Sequence, residues 1–177
     1  IGDLDGDGVN DLAVGAHRDN AAEGTGDGDD RGAVHIIFMN TDGTVKDTEK
    51  IDDSTADGPN LADEDQFGVT VANIGDLDGD GVNDLAVGAS HDGGNERGAV
   101  YIMFMTIEGD VKSIVENNAT NITNISLAKN DHFGISVANI GDLNGDGVND
   151  LAVGAPLDDM KEDGTNVFAT NVNRGAV

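Results

Sequence analysis

The chain has 177 residues, enough for one domain with a core of its own. It contains no cysteine, no tryptophan, one tyrosine and five phenylalanines. This excludes a disulfide scaffold, thiolate zinc sites and a cysteine nucleophile, and leaves Val, Ile, Leu and Ala to fill the core. Thirty-five acidic residues against nine basic ones give a formal net charge of -26, which repels nucleic acid and anionic membranes; no stretch is long and apolar enough to span a bilayer, so neither nucleic acid nor membrane insertion is expected.

The chain opens on the segment Ile1 to Ala16, IGDLDGDGVNDLAVGA, which returns unchanged at Ile74 to Ala89. It returns again at Ile140 to Ala155 with one change, Asn144 in the place of Asp5. An apolar run comes after the first copy at Ala33 to Met39 and after the second at Ala99 to Met105. Each run opens within an Arg-Gly-Ala-Val element, at Arg31 and Arg97, and the element recurs at Arg174. Phe67-Gly68 begins a stretch that leads into the second copy, and Phe133-Gly134 begins one that leads into the third.

One unit therefore reads as four strands. The first covers about Phe67 to Ile74, where Phe67, Val69 and Val71 alternate as on a half-buried strand. Next come an aspartate loop, a second strand over Asp84 to Gly88 and a third over Gly98 to Met105. A fourth is expected within Asp110 to Asn117 or Asn121 to Leu127. Four strands in roughly 65 residues without helical periodicity predict an all-β fold of antiparallel propeller-type blades. The boundaries give a single repeat region: a partial unit over 1–66, a full one over 67–132 and a partial one over 133–177. The chain starts after one unit's first strand and stops as another's third begins. An incomplete propeller, an excerpt of a larger one, or a subunit completed by its neighbours is the expectation.

The aspartate loop has the oxygen spacing of an EF-hand over nine positions. With Asp3 as position 1, Asp5 and Asp7 fall at positions 3 and 5, Gly8 at the sharp turn of position 6, Val9 at the backbone-carbonyl position 7 and Asp11 at position 9. Hard oxygen donors without His or Cys favour Ca²⁺ over zinc or copper; Mg²⁺ suits such a cage less well. The bidentate Glu of position 12 is absent, replaced by Val14, Val87 and Val153. The residues after position 9, Leu-Ala-Val-Gly-Ala, are a strand, so a helix-loop-helix sensor is excluded.

These residues resemble the FG-GAP repeats of integrin α-subunit propellers. Phe67-Gly68 and Phe133-Gly134 match the first half of the family's signature, Gly154-Ala155-Pro156 the second half, and the aspartate loop lies between them. Gly15-Ala16-His17 and Gly88-Ala89-Ser90 are the same element with the proline replaced. The resemblance implies calcium ligands at Asp3, Asp5, Asp7, Val9 and Asp11, at Asp76, Asp78, Asp80, Val82 and Asp84, and at Asp142, Asn144, Asp146, Val148 and Asp150. About three Ca²⁺, one per loop, would still leave a net charge of -20, so most of the acidity is surface coat.

The four histidines, His17, His35, His91 and His132, form no recognisable catalytic constellation, and His17 and His91 read as loop decoration. No enzyme activity is expected. Asn118, Asn121 and Asn124 head three consecutive glycosylation sequons, which read either as a glycosylated edge or as a plain polar segment. The expected function is a calcium-stabilised extracellular or cell-surface structural and adhesion module whose partners are other protein chains or glycans. Two alternatives stand beside it: a self-assembling subunit of a filament or ring, and an accessory propeller region of a larger secreted enzyme.

Overall fold

A computed structural model describes residues 1–20, 29–123 and 125–158. The regular secondary structure of the described residues is almost all antiparallel β, as expected. Three strands, β1 (Leu12–Ala16), β2 (Ala33–Met39) and β3 (Val45–Ile51), form the first sheet in chain order. Four more, β4 (Phe67–Gly75), β5 (Asp84–Ala89), β6 (Ala99–Met105) and β7 (Val111–Asn117), form the second, also in chain order. A third pairs β8 (Ser136–Gly141) with β9 (Asp150–Gly154). Of the two segments open for the fourth strand, the chain uses Val111–Asn117.

Strand periodicity divides the core in two. Leu85 and Val87 on β5, with Tyr101, Met103 and Met105 on β6, join Val34, Ile36 and Phe38 of β2 in one cluster. The intervening Ala86 and Val100 face the other way, onto Leu127, Phe133 and Val137. Successive side chains of a strand point to opposite faces, so the middle sheet supplies one face to each neighbour. This explains why all six residues of β5 are buried. The same sequence in β1 leaves Leu12 47% and Val14 44% exposed, because among the described residues its sheet is covered on one side only.

Successive sheets meet through the Phe-Gly and Gly-Ala elements. Gly32 forms a parallel bridge with Phe67, and Gly98 forms the same bridge with Phe133. A Cβ on Gly15 would stand 1.9 Å from the carbonyl oxygen of Gly68, and one on Gly88 would stand 1.9 Å from that of Gly134. The two glycines are therefore one contact shared by neighbouring units, a backbone approach that no side chain permits. Within the second sheet Phe67 packs edge-on against Tyr101, with ring centroids 5.4 Å apart, which fixes the residue that bridges to Gly32.

This packing also buries carboxylates. Asp65 is 5% exposed and accepts a hydrogen bond from Ala62 N at 2.6 Å. Burial, with the nearby charges of Asp92 and Glu116, pushes its carboxyl up to about 7. Because the folded value lies above the unfolded one, Asp65 weakens the fold at pH above about 7, and the penalty fades as the pH falls toward 4. Asp65→Asn keeps an acceptor for Ala62. It should raise the melting temperature at pH 8 and gain little at pH 4.5 in scanning calorimetry. Equal destabilisation at both pH values would contradict this account.

Candidate metal centre

The loop between β4 and β5 is built by its own aspartates. Gly81 takes a φ of +92°, a left-handed conformation suited to glycine. This turn brings the chain back over Asp76. Asp76 Oδ1 accepts from Gly79 N at 2.7 Å and Asp80 N at 3.0 Å, while its Oδ2 accepts from Gly81 N at 2.8 Å. Asp78 Oδ1 accepts from Asp80 N at 3.2 Å, and Asp80 Oδ1 from Val82 N at 2.9 Å. Each carboxylate thus orders the residues just after it, the ordinary behaviour of aspartate in turns.

Asp84 closes the loop from beneath. It is 1% exposed, and its two oxygens accept from Leu77 N at 2.7 Å and from Met105 N at 3.0 Å. The loop is thereby fixed to the end of β6. Asp11 does the same with Leu4 N at 2.8 Å and Met39 N at 3.0 Å, and Asp150 accepts from Leu143 N at 2.8 Å. In the third loop Asp142 Oδ2 accepts from Gly147 N at 2.8 Å, and this bond with others from Gly145, Asp146 and Asn144 holds its carboxyl below the usual range.

These residues suit a hard divalent cation. One carboxylate oxygen from each of Asp76, Asp78 and Asp84 lies within 4.8 Å of the other two, and Asp3, Asp5 and Asp11 are gathered in the same way. Such crowding is stabilised by positive charge, and two lysines already answer to it. Lys112 Nζ stands 2.6 Å from Asp78 and 2.8 Å from Asp80. Lys46 Nζ stands 2.7 Å from Asp5 and 2.6 Å from Asp7. These contacts hold the Asp80 and Asp7 carboxyls below their ordinary values, whereas burial raises that of Asp84. Among the described residues no basic side chain pairs with the third loop.

The two lysines were not singled out in the sequence, although both come after a Val at the start of the fourth strand of their unit, in Val45-Lys46 and Val111-Lys112. Lys112→Gln should lower the melting temperature in chelator by about 2 °C and have less effect at saturating Ca²⁺, because a bound cation takes over the charge balance. An equal loss in both conditions would show that the lysine does not share the carboxylates with a cation.

An asparagine links the units as well. The Asn that precedes the last aspartate of the second and third loops reaches back to the preceding unit: Asn83 Nδ2 donates to Ile1 O at 3.0 Å, and Asn149 Nδ2 to Ile74 O at 2.9 Å. Asn73 and Asn139 add parallel links to Ile1 O at 2.7 Å and to Asn73 O at 3.0 Å. The signal was present, since Asn10, Asn83 and Asn149 occupy one position in all three copies.

The remaining candidates take no part in the loops. Arg31 pairs with Asp53 at 2.5 Å and Asp63 at 2.8 Å, whereas Arg174 lies outside the described residues. Asn118 Oδ1 accepts from Thr120 N at 2.8 Å, and Asn121 Nδ2 donates to Glu116 O at 2.6 Å, so both amides serve a local turn; Asn124 lies outside the described residues. His91 and His132, 41 residues apart in the chain, meet with ring centroids 4.6 Å apart. Burial, and then the neighbouring His132, lowers the His91 imidazole below its ordinary value.

Comparison with known proteins gives the same picture of the repeat. The model of the FG-GAP repeat matches residues 1–37, 67–103 and 133–177. The chain is 34% identical to integrin alpha-4 of Xenopus laevis over 157 residues, which is 89% of this chain and 14% of that protein. It is 35% identical to human integrin alpha-11 over 160 residues, 86% of this chain and 12% of that protein. It is 30% identical to integrin alpha-PS2 of Drosophila melanogaster, over 89% of this chain and 11% of that protein. The chain thus spans a small part of the relatives it matches.

Proposed function

Because the chain belongs to the FG-GAP repeat family, we propose that it is a non-catalytic, calcium-stabilised adhesion module of the cell surface or extracellular space. The reading treats 1–177 as one repeat region, divided after residues 66 and 132, with one Ca²⁺ in each loop. The observation that carries it is the repeated carboxylate cradle: Asp3, Asp5 and Asp11, and again Asp76, Asp78 and Asp84, brought within 4.8 Å of one another. Asp7, Asp80 and the third loop's Asp142, Asn144, Asp146 and Asp150 would complete the side-chain donors. The carbonyls of Val9, Val82 and Val148 would add one backbone donor to each loop.

In this reading calcium is a staple. It fixes the turn between two strands and neutralises clustered Asp, while Asn83 and Asn149 pass that rigidity to the preceding unit. Its work is mechanical, and recognition would fall to loops and edges presented by the rigid sheets. Similarity to integrin alpha subunits supports an adhesive role with protein partners. Among the described residues no helix is long and apolar enough to cross a membrane. Beads coated with the protein should be retained on an extracellular-matrix protein surface in Ca²⁺ and released by chelator. Retention that ignores the chelator, or no retention in Ca²⁺, would contradict the proposal.

A further inference from the structure

The junction between the second and third sheets carries a cluster outside the aspartate loops. His91 comes just after β5, Glu96 closes the turn Asp92–Glu96 before β6, and His132 precedes Phe133. One donor atom from each lies within 4.8 Å of the other two. The Nε2 atoms of His91 and His132 stand 4.0 Å and 3.6 Å from the same Glu96 oxygen. We propose that His91, Glu96 and His132 form a binding site for a borderline-soft divalent transition metal such as Zn²⁺, clamping the turn between β5 and β6 to the segment that leads into the third unit at Phe133.

Three observations carry this. First, the backbone already holds the two halves in register: Asn130 N donates to Asn95 O at 2.9 Å, His132 N to Glu96 O at 3.3 Å and Phe133 N to Arg97 O at 2.9 Å. Second, the His132 ring is unsatisfied. Its Nε2 stands 3.6 Å from the Glu96 carboxylate, too far for a good hydrogen bond, and its Nδ1 has no hydrogen-bond partner, so a cation on Nε2 would give the ring the strong contact it lacks on the side that faces Glu96. His91 Nδ1 is meanwhile 3.1 Å from Ser90 Oγ, the outer hydrogen bond that typically orients a metal-ligating imidazole.

Third, the ligands are particular to this junction while its scaffold is not. The preceding junction repeats the backbone bonds, with Gln66 N to Asp30 O at 3.0 Å and Phe67 N to Arg31 O at 2.8 Å. There, however, Arg18, Asp30 and Gln66 stand where His91, Glu96 and His132 stand here. Two imidazoles and one carboxylate suit zinc, with a fourth position left to water, and differ in kind from the all-oxygen loops.

The test uses the full chain with the aspartate loops saturated by Ca²⁺, titrated with Zn²⁺ by calorimetry. One Zn²⁺ per chain is expected. His132→Gln, which installs the residue of the preceding junction, should weaken binding at least about tenfold. Should that variant fail to fold, imidazole NMR signals of the unaltered protein serve instead: Zn²⁺ should shift those of His91 and His132 and leave His17 and His35 in place. Absence of zinc binding in Ca²⁺, unchanged affinity in His132→Gln, or shifts confined to His17 and His35 would overturn the proposal. None of these results bears on the calcium loops, so the two readings fail separately.

Discussion

Removal of bound cations with a calcium chelator should lower the melting temperature of this protein by at least about 10 °C. The magnitude comes from linkage. A site at a hundredfold excess of ligand over its Kd contributes about 2.7 kcal/mol, and a domain of this size shifts by roughly 2–4 °C per kcal/mol. Three such sites would exceed 10 °C even if the lysines offset part of the loss. Lys112 and Lys46 can stand in for some of the missing charge at two loops. The third has no such partner among the described residues and should open first. Calorimetry in calcium and in chelator measures the total. Hydrogen exchange at Leu143 and Val148 against Leu77 and Val82 tests the order, and equal exposure of both loops in chelator would count against the part assigned to lysine.

The second large effect concerns the interlock between units. Gly88→Ala should lower the melting temperature by about 6–12 °C, from an overpacking cost of about 3 kcal/mol. The new Cβ would stand 1.9 Å from Gly134 O and 2.6 Å from Thr70 Cγ2. A carbonyl on a paired backbone cannot yield as a flexible side chain can, so the two sheets must separate. Gly15→Ala meets Gly68 O at the same 1.9 Å and should behave alike. Gly43→Ala is the control: its φ of +82° gives strain, but nothing lies within 4 Å, so it should cost only about 1 kcal/mol. If Gly88→Ala melts like Gly43→Ala, the close approach is not what joins the units.

Much of this architecture was legible from the residues, for a physical reason. Repetition exposed it: three copies of one loop and two Phe-Gly openings fix the order of elements even where single-strand signals are weak. Alternation placed β4, and the apolar run placed β6. The fourth strand was ambiguous because Val111 to Asn117 is largely polar and gains its order by pairing with β6. The loop carboxylates were readable because their chemistry is carried by local spacing. Lys46, Lys112 and the histidine pair were not, because their partners lie far away in the chain: Lys112 is 34 residues from Asp78, and His132 meets Glu96 across a junction. Asn83 shows a middle case, a recurring residue whose meaning needed the neighbouring unit to be seen.

The most direct test of the calcium reading is a count of bound ions. Equilibrium dialysis of the metal-stripped chain against Ca²⁺ should give about three ions per chain. Asp76→Ala and Asp142→Ala should each remove one, while Asp110→Ala, an acidic residue outside the loops, should remove none. A chain that binds no calcium, or whose ion count is the same after Asp76→Ala and Asp142→Ala, would show that the aspartate loops are turns held by their own hydrogen bonds and lysines, and would contradict the account.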